Sequence, residues 1–208
     1  MVQYFIDGGG FMWPILISLV FGLGFAFERA YSLLMSSIDS DKFFTDVSGA
    51  LEVKGVDAAL ELCNDTKGPV AEIFHAGLSK THRGVAEVEK AINNAGSLEM
   101  AFLEKNMIWL NTVITVAPMI GFTGTVVGMI AAFDAIKAAN DISPAVVAGG
   151  ISQALLTTAF GLITAMIIQF FQNFFVSRID KLILVMEECS MKLVVQLYEI
   201  EASKGGKK

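Results

Sequence analysis

Three stretches of this chain carry no Asp, Glu, Lys or Arg: Gly8 to Phe27 (20 residues), Asn106 to Phe133 (28 residues) and Ile142 to Ser177 (36 residues). A helix rises about 1.5 Å per residue, so roughly 20 residues cross a hydrocarbon core about 30 Å thick. Each stretch can span a bilayer. All 15 basic and 21 acidic residues fall outside them. In a chain that is 54% hydrophobic and 17% charged, with mean hydropathy +0.60, this segregation marks a membrane protein rather than a soluble core. The expected class is an all-α integral membrane protein with three transmembrane helices.

Charge placement orients the spans. Fourteen of the 15 basic residues lie between residues 28 and 106 or after 176, with Lys137 alone on the other side. Arg29, Lys105, Arg178 and Lys181, close to span ends, place the amino terminus outside and the carboxy terminus inside. The start carries Asp7 and no basic residue, so the first stretch reads as a retained span flanked by Trp13 and Tyr31 rather than a cleaved leader. The chain then divides into an outer amino terminus (1–10), a first span (11–33), a cytoplasmic helical region (34–106), a second span (107–133), a short outer loop (134–148), a third span (149–176) and a cytoplasmic helix and tail (177–208).

Outside the spans the pattern stays helical. Val88, Ala91, Ile92, Ala95, Leu98 and Phe102 recur at three and four residues with no proline before Pro118, so the second span is expected to continue into the cytoplasm as one long helix. Ile179, Leu182, Ile183, Met186, Cys189, Leu193, Leu197 and Ile200 extend the third span in the same way. That stripe needs a partner, either elsewhere in the chain or in another subunit. Ser143-Pro144 suits the start of the third helix, and Ser203 to Lys208 reads as a frayed tail.

The second and third spans are rich in small and hydroxylated residues. Gly124 and Gly128 stand four apart, with Gly121 and Thr125 on the adjoining stripe. In the third span Gly150, Ala154 and Thr158 share one stripe, and Thr157, Gly161 and Ala165 another. Such spacing lets helix backbones approach closely, and Pro118 is a kink position. Threonines in a membrane helix also bond their own carbonyls, so the hydroxyls alone do not make a pore.

Ala117 to Phe133 (APMIGFTGTVVGMIAAF) and Ala148 to Met166 (AGGISQALLTTAFGLITAM) resemble the two signature spans of the MotA/TolQ/ExbB proton-channel family, nearest its ExbB and TolQ branch. The order, the short loop between them and the three-span count agree. The resemblance implies a bacterial inner-membrane subunit that forms a ring, typically a pentamer, around single-span partner helices of the ExbD or TolR type. The partner supplies an ion-carrying aspartate, and channel threonines, here Thr125 and Thr158, face it. Thr157 and Gln153 join them as candidate pathway residues, and Gly121, Gly124, Gly128 and Gly161 as packing residues. Ion flow would turn ring and partner relative to each other and transmit force across the envelope. Relatives often carry glutamate where this chain has Gln153. The amide keeps size and hydrogen bonding but cannot titrate, which leaves both proton and sodium open as the coupling ion.

The residues themselves add one constraint. Intramembrane charges are costly and kept for function, and the three uncharged runs hold none, so a proton carrier must come from another chain or from a span edge. The alternatives are a non-conducting scaffold of the same fold and a stator for gliding-type motility. A net charge of -6 gives no reason to expect nucleic-acid binding. No nucleophile, phosphate loop, cofactor or metal motif appears; His75 and His82 lie seven apart on an expected helix without further ligands. Cys63 and Cys189 are expected as free thiols, and Glu28-Arg29 as an interface pair. Phe170, Phe171, Phe174 and Phe175 read as lipid-facing or packing residues.

Overall fold

The computed structural model describes residues 2–36, 39–139 and 144–205, and every regular element among them is helical. They are α1 (Val2–Asp7), α2 (Met12–Ser36), α3 (Ser40–Val53), α4 (Val56–Asp65), α5 (Pro69–Leu78), a 3-10 turn (Thr81–Arg83), α6 (Val85–Leu103), α7 (Met107–Ala139) and α8 (Pro144–Gly205). Three helices, α2, α7 and α8, are long and apolar enough to cross a membrane. The chain forms two compact units, Met1–Arg29 with Asn106–Phe174, and Ala30–Lys105 with Phe175–Lys208.

In the first unit, a turn at Gly9, whose φ is +69°, leads from α1 into α2. Pro14 sits in the first turn of α2, where its missing N–H has no helical acceptor to leave empty. Met12, Ile15, Gly22, Ala26 and Arg29 recur at helical spacing and are buried. The opposite face, with Trp13, Ile17, Val20 and Phe27, is exposed in the single chain. Gly22 is where three helices meet: a Cβ there would stand 2.9 Å from Ile168 Cδ1 of α8 and 3.2 Å from Val113 Cγ1 of α7. Nearer the carboxy-terminal end of α2, Phe25 stacks on Trp109 at 5.9 Å and Phe21 meets the same ring edge-on. Of the phenylalanine cluster, Phe170, Phe171 and Phe174 are exposed and Phe175 is buried.

The second span does not continue unbroken from the helical region that precedes it. Helix α6 closes at Leu103 through the Glu104 N–H to the Met100 carbonyl, and α7 begins only at Met107. Between them Asn106 takes φ +67°, a left-handed conformation that asparagine tolerates better than other residues with a Cβ. Its side-chain amide donates to Glu28 Oε2 at 3.2 Å, and Glu28 in turn binds Arg29 through two hydrogen bonds of 2.7 and 2.8 Å. Arg29, expected at an interface, is 2% exposed. Pro118 lies inside α7, which runs through it although the Ile114 carbonyl loses its helical donor there.

The third span does continue: α8 is one helix of 62 residues. The expected start at Ser143-Pro144 falls partly outside the described residues, as does the end of the tail, yet the helix reaches Gly205 where fraying was expected from Ser203.

The second unit packs around α5, whose Val70, Ala71, Ile73, Phe74 and Leu78 are buried. Phe43 and Phe44 of α3 lie 5.7 and 6.2 Å from the Phe74 ring, and a Cβ on Gly77 would meet Ile92 Cγ1 of α6 at 2.6 Å. The carboxy-terminal half of α8 buries Phe175, Ile179, Met186, Cys189, Leu193 and Leu197. Its stripe finds a partner within the chain: Gln196 Nε2 donates to Ser48 Oγ (2.6 Å) and Glu52 Oε1 (3.0 Å), and Lys192 lies over the Phe44 ring. Cys63 and Cys189 are buried free thiols; burial pushes the Cys63 pKa up to about 12 and raises that of Cys189. His75 and His82 do not share a helix, because α5 ends at Leu78 and His82 sits in the 3-10 turn, accepting from Arg83 Nε.

Candidate ion pathway

Helices α7 and α8 run antiparallel and touch through their small residues. A Cβ on Gly121 would stand 2.8 Å from the Thr157 carbonyl oxygen, and one on Gly161 would stand 2.7 Å from that of Ala117. Further along, Gly128 faces the Gly150 carbonyl at 3.1 Å and Ala154 Cβ at 3.0 Å. These are backbone contacts that a side chain would forbid. Close approach gains dispersion and Cα–H···O contacts where hydrocarbon supplies no hydrophobic drive between helices.

The closeness gathers hydroxyls. Thr112, Thr115 and Thr123 each donate to the carbonyl four residues back in α7, the usual resting state of a membrane threonine. Thr125, Thr157 and Thr158 add contacts to the facing helix, while Thr125 Oγ1 also lies 3.3 Å from the Gly121 carbonyl four residues back and Thr157 keeps a bond within α8. Thr125 Oγ1 reaches across to the Ala154 carbonyl at 3.0 Å, and Thr158 Oγ1 reaches the Gly121 carbonyl at 3.3 Å. The two hydroxyls also contact each other. Thr157 Oγ1 lies 2.8 Å from the Ala154 carbonyl and 3.3 Å from that of Gly121.

Gly124 makes room for this arrangement, since a Cβ there would stand 2.6 Å from Thr157 Oγ1. Thr157 is 1% exposed and fills that notch, whereas Thr125 and Thr158 are half-buried. Three hydroxyls, each with one proton, share two carbonyls and one another. Thr125 and Thr158 thus keep oxygen lone pairs on the less buried side of the cluster. The cluster is neutral, hydrogen-bonded and able to present oxygen ligands to a cation or to a protonated group.

Gln153 lies one turn before Thr157 on α8 and is half-buried. Its side chain rests on Gly9: a Cβ at position 9 would overlap Nε2 and stand 3.0 Å from Cδ. One further polar side chain of α8 escaped the sequence reading: Thr164 is 3% exposed, seven residues after Thr157 on the same stripe, where a seven-residue search would have found it. Gln172, which interleaves in sequence with the phenylalanine cluster, has its Oε1 buried without a hydrogen-bond partner among the described residues.

The model of the MotA/TolQ/ExbB proton channel family matches residues 65–188, which include α7 and most of the membrane part of α8. An ExbB homolog of Methanothermobacter thermautotrophicus, by name a biopolymer transport protein, is 31% identical over 181 residues, covering 86% of this chain and 64% of the relative. The chain therefore spans somewhat under two thirds of that relative's length. Biopolymer transport protein ExbB-like 3 of Synechocystis is 27% identical over 170 residues, or 81% of each chain. The Tol-Pal system protein TolQ of Haemophilus influenzae is 42% identical over 76 residues, 36% of this chain and 33% of its own. With three apolar helices and a hydroxyl cluster between the second and third, the chain belongs to the MotA/TolQ/ExbB proton channel family, in its ExbB/TolQ branch.

Proposed function

We propose that the chain is the ring-forming subunit of an ion-driven machine in the bacterial inner membrane, with its amino terminus outside and its carboxy terminus in the cytoplasm. The observation that carries the reading is the cross-helix hydroxyl cluster of Thr125, Thr157 and Thr158 between two runs, 106–133 and 142–177, that hold no Asp, Glu, Lys or Arg. Hydroxyls can pass or coordinate an ion but cannot carry a proton alone, so the titrating group comes from outside the chain. A single-span ExbD/TolR-like partner with an aspartate at the level of the cluster supplies it.

Copies of α7 and α8, in a ring of five, line the axis, and Thr125 and Thr158 face the partner's carboxyl while Thr157 holds the two helices together behind them. Each charge that crosses releases about 2.3 kcal/mol per 100 mV, which partner and ring convert to motion, and the partner's outer part sets which envelope process is powered. The oxygen-only cluster suits sodium as well as a proton. Co-purification of the chain with its partner, followed by imaging, tests the arrangement: a ring enclosing partner helices with Thr125 and Thr158 toward the axis is expected. A ring whose axis is lined by another helix overturns it. Absence of ion flux through the intact complex favours a non-conducting scaffold, and flux unaffected by loss of both hydroxyls overturns the pathway.

A further inference from the structure

The loop between α1 and α2 is built of three glycines, and only the middle one touches the candidate pathway. Gly9 N–H bonds the Ile6 carbonyl at 3.1 Å and its own carbonyl accepts from Met12 N–H at 3.2 Å, so its position is set by backbone bonds on both sides. Its φ of +69° is a conformation that glycine adopts without strain. Against it lies the amide of Gln153, 144 residues away in the chain, occupying the volume that a side chain at position 9 would fill. No hydrogen bond among the described residues holds this amide, so the missing Cβ is what shapes its seat. Gly10, one residue on, has open space around it.

We propose that Gly9 is a positioning residue for ion entry. By presenting no side chain it seats the Gln153 amide one turn from Thr157, between the Gly124–Thr157 and Ala132–Gly150 contacts of α7 and α8, where the amide orients the water or ion that passes to Thr125 and Thr158. This rests on the pathway reading above. An amide suits the task because it offers both a donor and an acceptor without holding a charge of its own in the bilayer. The amino-terminal loop thereby becomes part of the transport apparatus and not merely a lead into the first span.

The test uses the full chain purified with its single-span partner and sealed into liposomes, with proton flux followed by a pH-sensitive dye and sodium uptake by tracer under an imposed potential. Gly9→Ala is expected to lower flux about tenfold, as for one misplaced hydrogen bond, while Gly10→Ala leaves it unchanged. In a Gln153→Ala background Gly9→Ala should lower flux no further, because the amide it displaces is gone. Gln153→Glu gives flux a pH midpoint, and adding Gly9→Ala should move that midpoint, which a purely structural glycine would not do. If Gly9→Ala alone fails to assemble, recovery of assembly in the Gln153→Ala double variant supports the seat and continued failure overturns it. Unchanged flux in Gly9→Ala, an equal further loss in the Gln153→Ala background, or an unmoved midpoint each contradict the proposal. Thr125→Ala in the same liposomes separates the two readings: loss there with a silent Gly9→Ala sinks only the seat, and retained flux there sinks the pathway.

Discussion

Glycine positions in this chain divide by what a methyl group would meet. At Gly121 and Gly161 it would meet backbone carbonyls of the facing helix, at 2.8 and 2.7 Å, and neither helix can yield without moving the other. Gly121→Ala and Gly161→Ala are each expected to cost about 1–3 kcal/mol, the range for overpacking, and to lower the thermal midpoint in detergent. Gly49, mid-helix in α3, has open space, so Gly49→Ala should raise stability by about 0.5–1 kcal/mol. Equal responses at the two kinds of site would mean that the α7–α8 backbones are not in contact. Cys63 gives a second residue-scale expectation. Burial raises its thiol from 9.0 to about 12, so the folded state holds a proton that the unfolded state releases. The stability this contributes is fully present below about pH 9 and falls as pH climbs toward about 12. Alkylation at pH 8 should be slow until the protein is unfolded, and rapid labelling of the native protein would contradict the burial.

At the scale of elements, hydrophobic periodicity read α8 well and the α6–α7 junction badly. The stripe from Ile179 to Leu197 is visible because buried residues recur every three or four positions, and the same spacing exposes the small-residue faces of the second and third spans. The break at Asn106 has no such mark. Apolar residues continue on either side of it without proline, and what ends α6 is a left-handed asparagine bonded to Glu28, 78 residues earlier. The seat of Gln153 on Gly9 and the notch at Gly22 were hidden for the same reason, since each depends on residues far apart in the chain.

Two substitutions follow at this scale. Asn106→Gly keeps the backbone conformation and should cost less than Asn106→Leu, which faces about 1 kcal/mol or more of left-handed strain besides losing the bond to Glu28. Leu193→Ala, at a site with no exposure, should cost about 2–5 kcal/mol. Val195→Ala, on the exposed face of the same helix, should stay within about 0.5 kcal/mol by urea or thermal unfolding. A reversed order in either pair contradicts the assigned geometry.

For the whole molecule, the consequential feature is a division of chemistry. Charge is confined to the segments flanking the three apolar runs, and those runs hold glycines, hydroxyls and the Gln153 amide. The hydroxyls are not all alike: Thr112, Thr115 and Thr123 satisfy their own helix, whereas Thr125 and Thr158 bridge two helices and contact each other. On the proposed function such a subunit is half of a device, with oxygen ligands on this chain and the titrating carboxyl on a partner. The most direct measurement is ion flux in liposomes holding the chain and its partner, with Thr125→Ala and Thr158→Val compared against Thr123→Ala, all at equal assembly. Flux should fall at least about tenfold in the first two, the loss of a hydrogen bond to a charged group, and persist in the third. Flux that persists in Thr125→Ala and Thr158→Val, or that falls equally in Thr123→Ala, would contradict the assignment of the cross-helix hydroxyls as the ion path.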